Sequence, residues 1–190
     1  ILDFSAEGKE SANDFNIALE QILASIEKAA VSDSIPFSVF KPTGLCKFSV
    51  LEKINNNSPL SVDEQVEKKE YQARVDAICK LAFDKNVAVF IDAEESWIQD
   101  AIDSIAEEMM AKYNKQKVLI YNTIQLYRKD RIEYLNSFLI RAENNYFIGV
   151  KLVRGAYHKQ EIERARAKNY PCPVHTIKAN TDADYNAALE

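Results

Sequence analysis

Short apolar runs alternate along this chain with longer amphipathic segments. Residues 36–40, 87–91 and 118–121 are apolar at most positions, which predicts short strands that are buried on both faces. The segments between them, such as 98–109, repeat apolar residues at the helical period. Because strands and helices alternate at this spacing, we predict βα units around a parallel sheet.

Serine residues predict where two of the helices begin. Ser11 is followed three positions later by Asp14, and Ser61 by Glu64, an arrangement in which serine and carboxylate side chains cap the first turn. The second of these helices should run to about residue 84. The stretch 46–60 shows no clear period and is predicted to be irregular.

The remaining segments extend the alternation. Residues 1–4 are a candidate first strand, 146–157 contain the fifth, and 174–177 are a candidate sixth. Residues 158–168 predict a charged helix, and a last helix should start at 181–184. With about five or six βα units, the chain fits a doubly wound sheet or a (βα) barrel. As a barrel it is incomplete, because eight units take about 250 residues.

Composition and charge exclude several classes of protein. The 190 residues are 47% hydrophobic and 28% charged, which suits one globular domain over residues 1–190. A net charge of −5 argues against nucleic-acid binding. The three cysteines are scattered and are expected to be reduced thiols. No apolar run approaches the length of a membrane span and no signal peptide is recognised, so a cytoplasmic protein is expected.

Polar residues recur at the carboxyl ends of the predicted strands. They are Lys41, Asp92, Asn122, Gln125 and Lys151. In parallel α/β folds these ends meet on one face, and active sites are built there. A lysine inside an apolar strand is costly unless it has a partner, so Lys151 should face a charge or a ligand. We therefore predict one shared site at this face.

Lys151 allows more than one kind of chemistry. It could be the Schiff-base nucleophile of a barrel lyase, or a fixed cation facing an anionic substrate or a reduced cofactor. Gly155 would let a planar ring or a phosphate pack against the backbone, and Tyr157 could stack on a ring or fill the core. His158 and His175 lack metal-ligand spacing, so no metal site is expected. A non-catalytic hypothesis also stays open, because unpaired sheet edges favour self-association.

The chain resembles the proline dehydrogenase family in four stretches: KLVRGAY at 151–157, FIDAEES at 90–96, YNTIQLY at 121–127 and PVHTIKANTDADY at 173–185. The opening ILDFSAEGKES is similar to the first-strand segment of that family, so the resemblance covers the whole chain. It implies a (βα)8 TIM-like barrel that holds FAD at its carboxyl face. It also implies oxidation of L-proline to Δ1-pyrroline-5-carboxylate, with hydride transfer to flavin N5 and electrons passed to a quinone at the membrane surface.

The resemblance further implies roles for individual residues. Lys41 would hold the proline carboxylate, and Asp92 would organise the basic residues that bind the substrate. Lys151 would lie near flavin N5, where a cation stabilises the anionic reduced flavin. Other contacts to the cofactor would come from Ala93, Gln125, Val153, Arg154, Gly155, Ala156 and Tyr157.

The resemblance also bears on how much of the enzyme is present. The late helix of the family, whose paired arginines grip the proline carboxylate, would lie after residue 190. We therefore expect this chain to be a partial barrel domain that is inactive by itself. The resemblance is compatible with a cytoplasmic enzyme at the periphery of the inner membrane and with homo-oligomers.

Overall fold

Parallel strands pair in the order in which they occur along the chain. The computed structural model describes residues 2–3 and 10–190, and within them five strands form one sheet in the order β1-β2-β3-β4-β5. They are β1 (Leu2–Asp3), β2 (Phe37–Phe40), β3 (Ala88–Ile91), β4 (Ile120–Gln125) and β5 (Val150–Val153). A doubly wound sheet reverses its order at a switch point, whereas this sequential order is that of a partial (βα) barrel.

Helices alternate with the strands. They are α1 (Ala12–Ala30), α2 (Phe48–Asn55), α3 (Val62–Lys85), α4 (Ser96–Tyr113), α5 (Arg131–Ala142), α6 (His158–Lys168) and α7 (Lys178–Ala187). Of these, α1, α3 and α4 pack directly against the sheet. A 3-10 turn, Pro42–Gly44, follows β2. The predicted alternation of strands and helices is therefore confirmed over most of the chain.

The two serine caps are present as predicted. The Asp14 backbone N–H donates to the Ser11 hydroxyl at 3.2 Å. At the start of α3, the Glu64 N–H donates to the Ser61 hydroxyl at 3.3 Å and the Ser61 N–H donates back to the Glu64 carboxylate at 2.8 Å. These bonds satisfy backbone donors that have no partner inside a helix, which is why the helices begin there.

Successive side chains of each strand alternate between two environments. Val89 and Ile91 of β3 are fully buried in the core that the sheet shares with the helices. Phe90 points the other way, where its ring stacks on Phe37 at 4.3 Å and meets Tyr121 edge-on at 5.3 Å. Because strand side chains alternate with a period of two, this aromatic cluster identifies the inner face of the partial barrel.

The structure corrects the predicted extent of two strands. β4 continues to Gln125 instead of ending at residue 121, because Asn122 and Gln125 pair with Val150 and Val153 of β5. β5 itself is only partly buried at each of its positions, although a fully buried strand was predicted. Within the described residues β5 has a single neighbour, β4, so one of its sides is not covered.

Four further predictions about local structure were wrong or lay partly outside the described residues. The stretch 46–60, predicted to be irregular, contains α2, an eight-residue helix that spans only about two turns and is therefore too short for a clear repeat in the sequence. Residues 174–177 form no strand, since Val174 makes only an isolated bridge to Arg128. The last helix starts at Lys178, before the predicted 181–184. Residues 1 and 4 of the predicted first strand lie outside the described residues.

Two further features concern membrane-spanning helices and the cysteines. No helix in the described part combines the length and the apolar character that crossing a bilayer requires. Cys46, Cys79 and Cys172 are free thiols, and the first two are buried. Burial raises the pKa of Cys46 to about 12, so its thiol is protonated and poorly reactive near neutral pH.

Candidate functional site

A cleft of about 270 Å³ opens at the carboxyl ends of the strands, on the inner face of the partial barrel. It contains every site residue that the sequence predicted except Asn122, together with Thr123, which the sequence did not single out. The lining residues are Lys41, Asp92, Ala93, Thr123, Gln125, Lys151, Val153, Arg154, Gly155, Ala156 and Tyr157. Strand alternation explains this convergence, because Asp92, Thr123 and Lys151 all continue the inner-face positions of their strands.

Two larger grooves, of about 500 and 520 Å³, lie outside the sheet among the helices. Most charged side chains of the first are already paired, as Arg131 is with Asp103 and Arg141 with Glu107. The cleft at the strand ends is therefore the better candidate, since parallel α/β folds build their sites there.

Lys151 is held between a carboxylate and an aromatic ring. Its ammonium donates to Asp92 Oδ1 and lies 5.2 Å from the centre of the Phe90 ring. The Thr123 hydroxyl donates to the same Asp92 oxygen at 3.3 Å. The Lys151 and Asp92 side chains are 27% and 18% exposed, so the pair is open to a ligand in the cleft. These contacts suit a fixed ammonium ion.

Asn122, which the sequence grouped with the strand-end residues, lies on the opposite face. Its amide donates at 2.8 Å to Asp103 of α4, in the layer of helices. Asp103 also accepts from Gln99 at 2.8 Å and from Arg131 at 2.6 Å. Asn122 therefore belongs to a buried structural network, and the prediction that it faces the shared site was wrong.

Gln125 joins the loop after β3 (residues 92–95, the β3 loop) to the loop after β5 (residues 154–157, the β5 loop). Its side-chain amide donates to the Glu94 carbonyl at 2.7 Å, and its oxygen accepts from the Ala156 N–H at 3.0 Å. The amide is buried between the two loops. The Ala156 N–H, which the sequence assigned to a ligand, thus has a partner inside the protein.

Gly155 allows the β5 loop to lie against Tyr127. Its φ of +130° is rare for residues that carry a Cβ, and a Cβ at this position would overlap the Tyr127 ring. The Tyr127 N–H donates to the Arg154 carbonyl at 2.7 Å and holds the loop in place. The side chain of Arg154 points away to α7, where it pairs with Asp182 at 2.5 Å and lies 4.3 Å from the Tyr185 ring.

Glu94 is a buried carboxylate that the sequence did not distinguish from the rest of its motif. Its two oxygens accept from the Thr43 N–H at 2.9 Å and from the Thr43 hydroxyl at 2.5 Å. Burial raises the pKa of Glu94 to about 7, against the opposing effects of the Thr43 hydrogen bonds and of Lys41. In the sequence, only its position directly after Asp92 and Ala93 indicates a functional role for Glu94.

Glu161 is a second buried carboxylate that the sequence missed. From α6 it accepts from the backbone N–H and the hydroxyl of Ser96, both at 2.6 Å, at the start of α4. α6 also contacts α2 through the Arg164–Glu52 ion pair. Carboxylates stabilise helix N-termini. Glu161 of α6 therefore stabilises the start of α4 and holds the end of the β3 loop in place.

Similarity to known proteins identifies the family of this chain. The profile of proline dehydrogenase matches residues 1–190. The chain belongs to the proline dehydrogenase family. Over the whole chain it is 32% identical to the carbapenem antibiotics biosynthesis protein CarD of Pectobacterium carotovorum and 32% identical to proline dehydrogenase 1 of Dictyostelium discoideum. Over 62% of the chain it is 44% identical to the mitochondrial proline dehydrogenase 1 of Drosophila melanogaster.

The relatives of the family are longer than this chain. The alignments cover 50%, 40% and 18% of the Pectobacterium, Dictyostelium and Drosophila proteins, so the chain spans half or less of their length. The fold also matches the crystal structure of proline utilization A from Bdellovibrio bacteriovorus inactivated by N-propargylglycine. That match has a TM-score of 0.81 at 21% identity and covers 97% of this chain and 20% of the other. It confirms the expected partial TIM-like barrel.

Proposed function

We propose that this chain is the part of an FAD-dependent proline dehydrogenase that carries Lys41, Asp92 and Lys151. The observation that carries the proposal is the Lys151–Asp92 pair, which lies in a strand-end cleft that the backbone of Gly155 also lines. The family, shown by the profile over residues 1–190, supplies the reaction.

The residues of the cleft fit a planar, electron-accepting ring. Gly155 lets the backbone of the β5 loop line the cleft while it lies against the Tyr127 ring, and a flat ring in the cleft can approach such a backbone closely. A cation beside the ring favours the reduced, anionic form, and Lys151 is placed to supply it. The volume of about 270 Å³ is just below the usual range of ligand pockets, which is about 300–1,000 Å³.

Each polar residue then has a definable task. Oxidation of L-proline removes a hydride from ring carbon C5 and a proton from the ring nitrogen. FAD, when bound, would supply the acceptor for this hydride, with a quinone as the later electron acceptor. Lys41 would bind the substrate carboxylate, Asp92 would orient Lys151, and Lys151 would stabilise negative charge as it develops on the cofactor. Ala93, Val153, Arg154 and Tyr157 would complete the contacts to the ring.

A Schiff-base lyase is the second candidate that the sequence left open. Such an enzyme needs a neutral lysine amine as its nucleophile. The contacts of Lys151 with a carboxylate and a ring face both suit an ammonium ion, so they support the flavin hypothesis instead.

The test uses the full-length gene product. We expect a flavin absorbance spectrum that L-proline bleaches without oxygen, and inactivation by N-propargylglycine, which inactivated the Bdellovibrio protein. The Lys151→Met variant should lose about 100-fold in kcat, the usual effect of removing one charge-stabilising group. Lys159→Met is the matched control, because Lys159 is an 83% exposed lysine on α6, and it should react at the wild-type rate.

Two results would overturn the proposal. A colourless full-length protein that does not oxidise proline would exclude the flavin reaction. Borohydride trapping of a carbonyl substrate on Lys151 would instead establish the lyase.

A further inference from the structure

Hydrogen bonds join the end of β2 to the end of β3 on both sides of Lys41. Before it, the Phe40 carbonyl accepts a hydrogen bond from the Asp92 N–H at 3.0 Å. After it, Thr43 donates both its N–H and its hydroxyl to the Glu94 carboxylate. Lys41 and Pro42 are thus the only residues between two anchored points, and Pro42 restricts the backbone further because its φ is fixed by its ring.

Glu94 is itself immobilised by other parts of the cleft. Its backbone N–H donates to Gln99 of α4 at 2.8 Å, and its carbonyl accepts from Gln125 of β4 at 2.7 Å. The residue is only 2% exposed. Burying a carboxylate costs free energy unless the group is hydrogen-bonded. Among the described residues, Thr43 donates the hydrogen bonds that stabilise the Glu94 carboxylate.

We propose that Glu94 is a positioning residue, which holds the Pro42–Gly44 turn through Thr43 so that Lys41 faces the cleft in one orientation. This inference deepens the proposed function, on which it rests, by assigning to Glu94 the control of how the substrate carboxylate is bound. Glu94 does not touch the substrate. It acts through the turn on Lys41, and loss of its hydrogen bonds lets the lysine occupy several positions.

Binding and turnover should then separate in the variants. In the full-length gene product, Glu94→Ala and Thr43→Val should raise the KM for proline about 10-fold, the effect of losing a hydrogen bond to a charged group, with kcat nearly unchanged. Glu94→Gln should restore most of the wild-type KM, because an amide can accept from the Thr43 N–H and donate to its hydroxyl. Glu108→Ala, the same change at an exposed carboxylate of α4, is the control and should leave the KM unchanged.

A chemical readout makes the inference independent of the reaction. Lys41 is labelled with an amine-acylating reagent and quantified by mass spectrometry, with Lys159 as the internal reference. Glu94→Ala and Thr43→Val should each speed the labelling of Lys41 about threefold or more, as expected for a side chain released from one orientation, and the double variant should add little.

The two readouts separate the possible failures. Labelling rates that stay at the wild-type value in both variants would overturn the positioning role, whatever the enzyme does. Faster labelling in a protein that does not oxidise proline would support the positioning role and refute the proposed reaction. A KM that is unchanged while thermal stability falls would show that Glu94 acts only on the fold.

Discussion

The buried carboxylate of Glu94 should make the stability of this chain depend on pH in a way that one substitution removes. An unfolded glutamate titrates near 4.5, whereas burial raises the pKa of Glu94 in the fold to about 7. The folded chain therefore binds this proton more tightly than the unfolded chain does. The contribution of Glu94 to stability is fully present below about pH 4.5 and is lost as the pH rises to about 7.

The magnitude follows from the two pKa values. Each pKa unit corresponds to about 1.4 kcal/mol, so ionisation of Glu94 should lower the free energy of unfolding by about 3 kcal/mol across this window. Glu94→Gln keeps a neutral side chain at every pH. The wild-type protein should therefore lose about 3 kcal/mol relative to the variant as the pH rises.

Urea unfolding at a series of pH values from 5 to 8 measures this difference directly. Asp130, whose pKa its arginine neighbours lower to about 2, and Asp103, whose pKa burial raises, are present in both proteins, so their effects cancel. A difference between wild type and variant that stays constant over this range would refute the assignment of a raised pKa to Glu94. Carbon-13 NMR of the Glu94 carboxyl gives an independent titration.

Two further predictions concern the β5 loop and the network behind the sheet. Gly155→Ala should destabilise the chain by about 3 kcal/mol or more, because alanine is strained at this φ and its Cβ overlaps Tyr127. In thermal unfolding, adding Tyr127→Leu should recover part of the lost stability. No recovery in the double variant would contradict the steric explanation. Asp103→Ala should cost about 3 kcal/mol, because Arg131 loses a buried partner at 2.6 Å. Asp100→Ala, at a 62% exposed carboxylate on the same helix, should change the melting temperature little, and equal effects of the two substitutions would argue against the network.

Local rules predicted much of the fold. Serine caps located the starts of α1 and α3, and apolar runs located β2 and β3 to within a residue or two. The rules failed where local signals are weak. α2 is short and buries few side chains fully, and residues 174–177 are apolar enough for a strand but lack a neighbouring strand to pair with.

The candidate site could be predicted as a set of positions but not as a set of contacts. Strand-end positions and the family resemblance named the residues of the cleft, and the structure brings them together. Thr123, Glu94 and Glu161 were missed, because a threonine in a strand and a glutamate in a loop or helix are ordinary in sequence. Their roles appear only when their partners are known.

The sequence by itself determined the βα alternation, the parallel sheet and the face on which Lys41, Asp92 and Lys151 converge, because period and strand ends are local properties of the chain. Only the tertiary structure decided which groups meet. Asp92 pairs with Lys151 across 59 positions, Thr43 with Glu94 across 51, and Ser96 with Glu161 across 65. Such contacts depend on the register of the strands and on the paths of the loops, which no local pattern encodes.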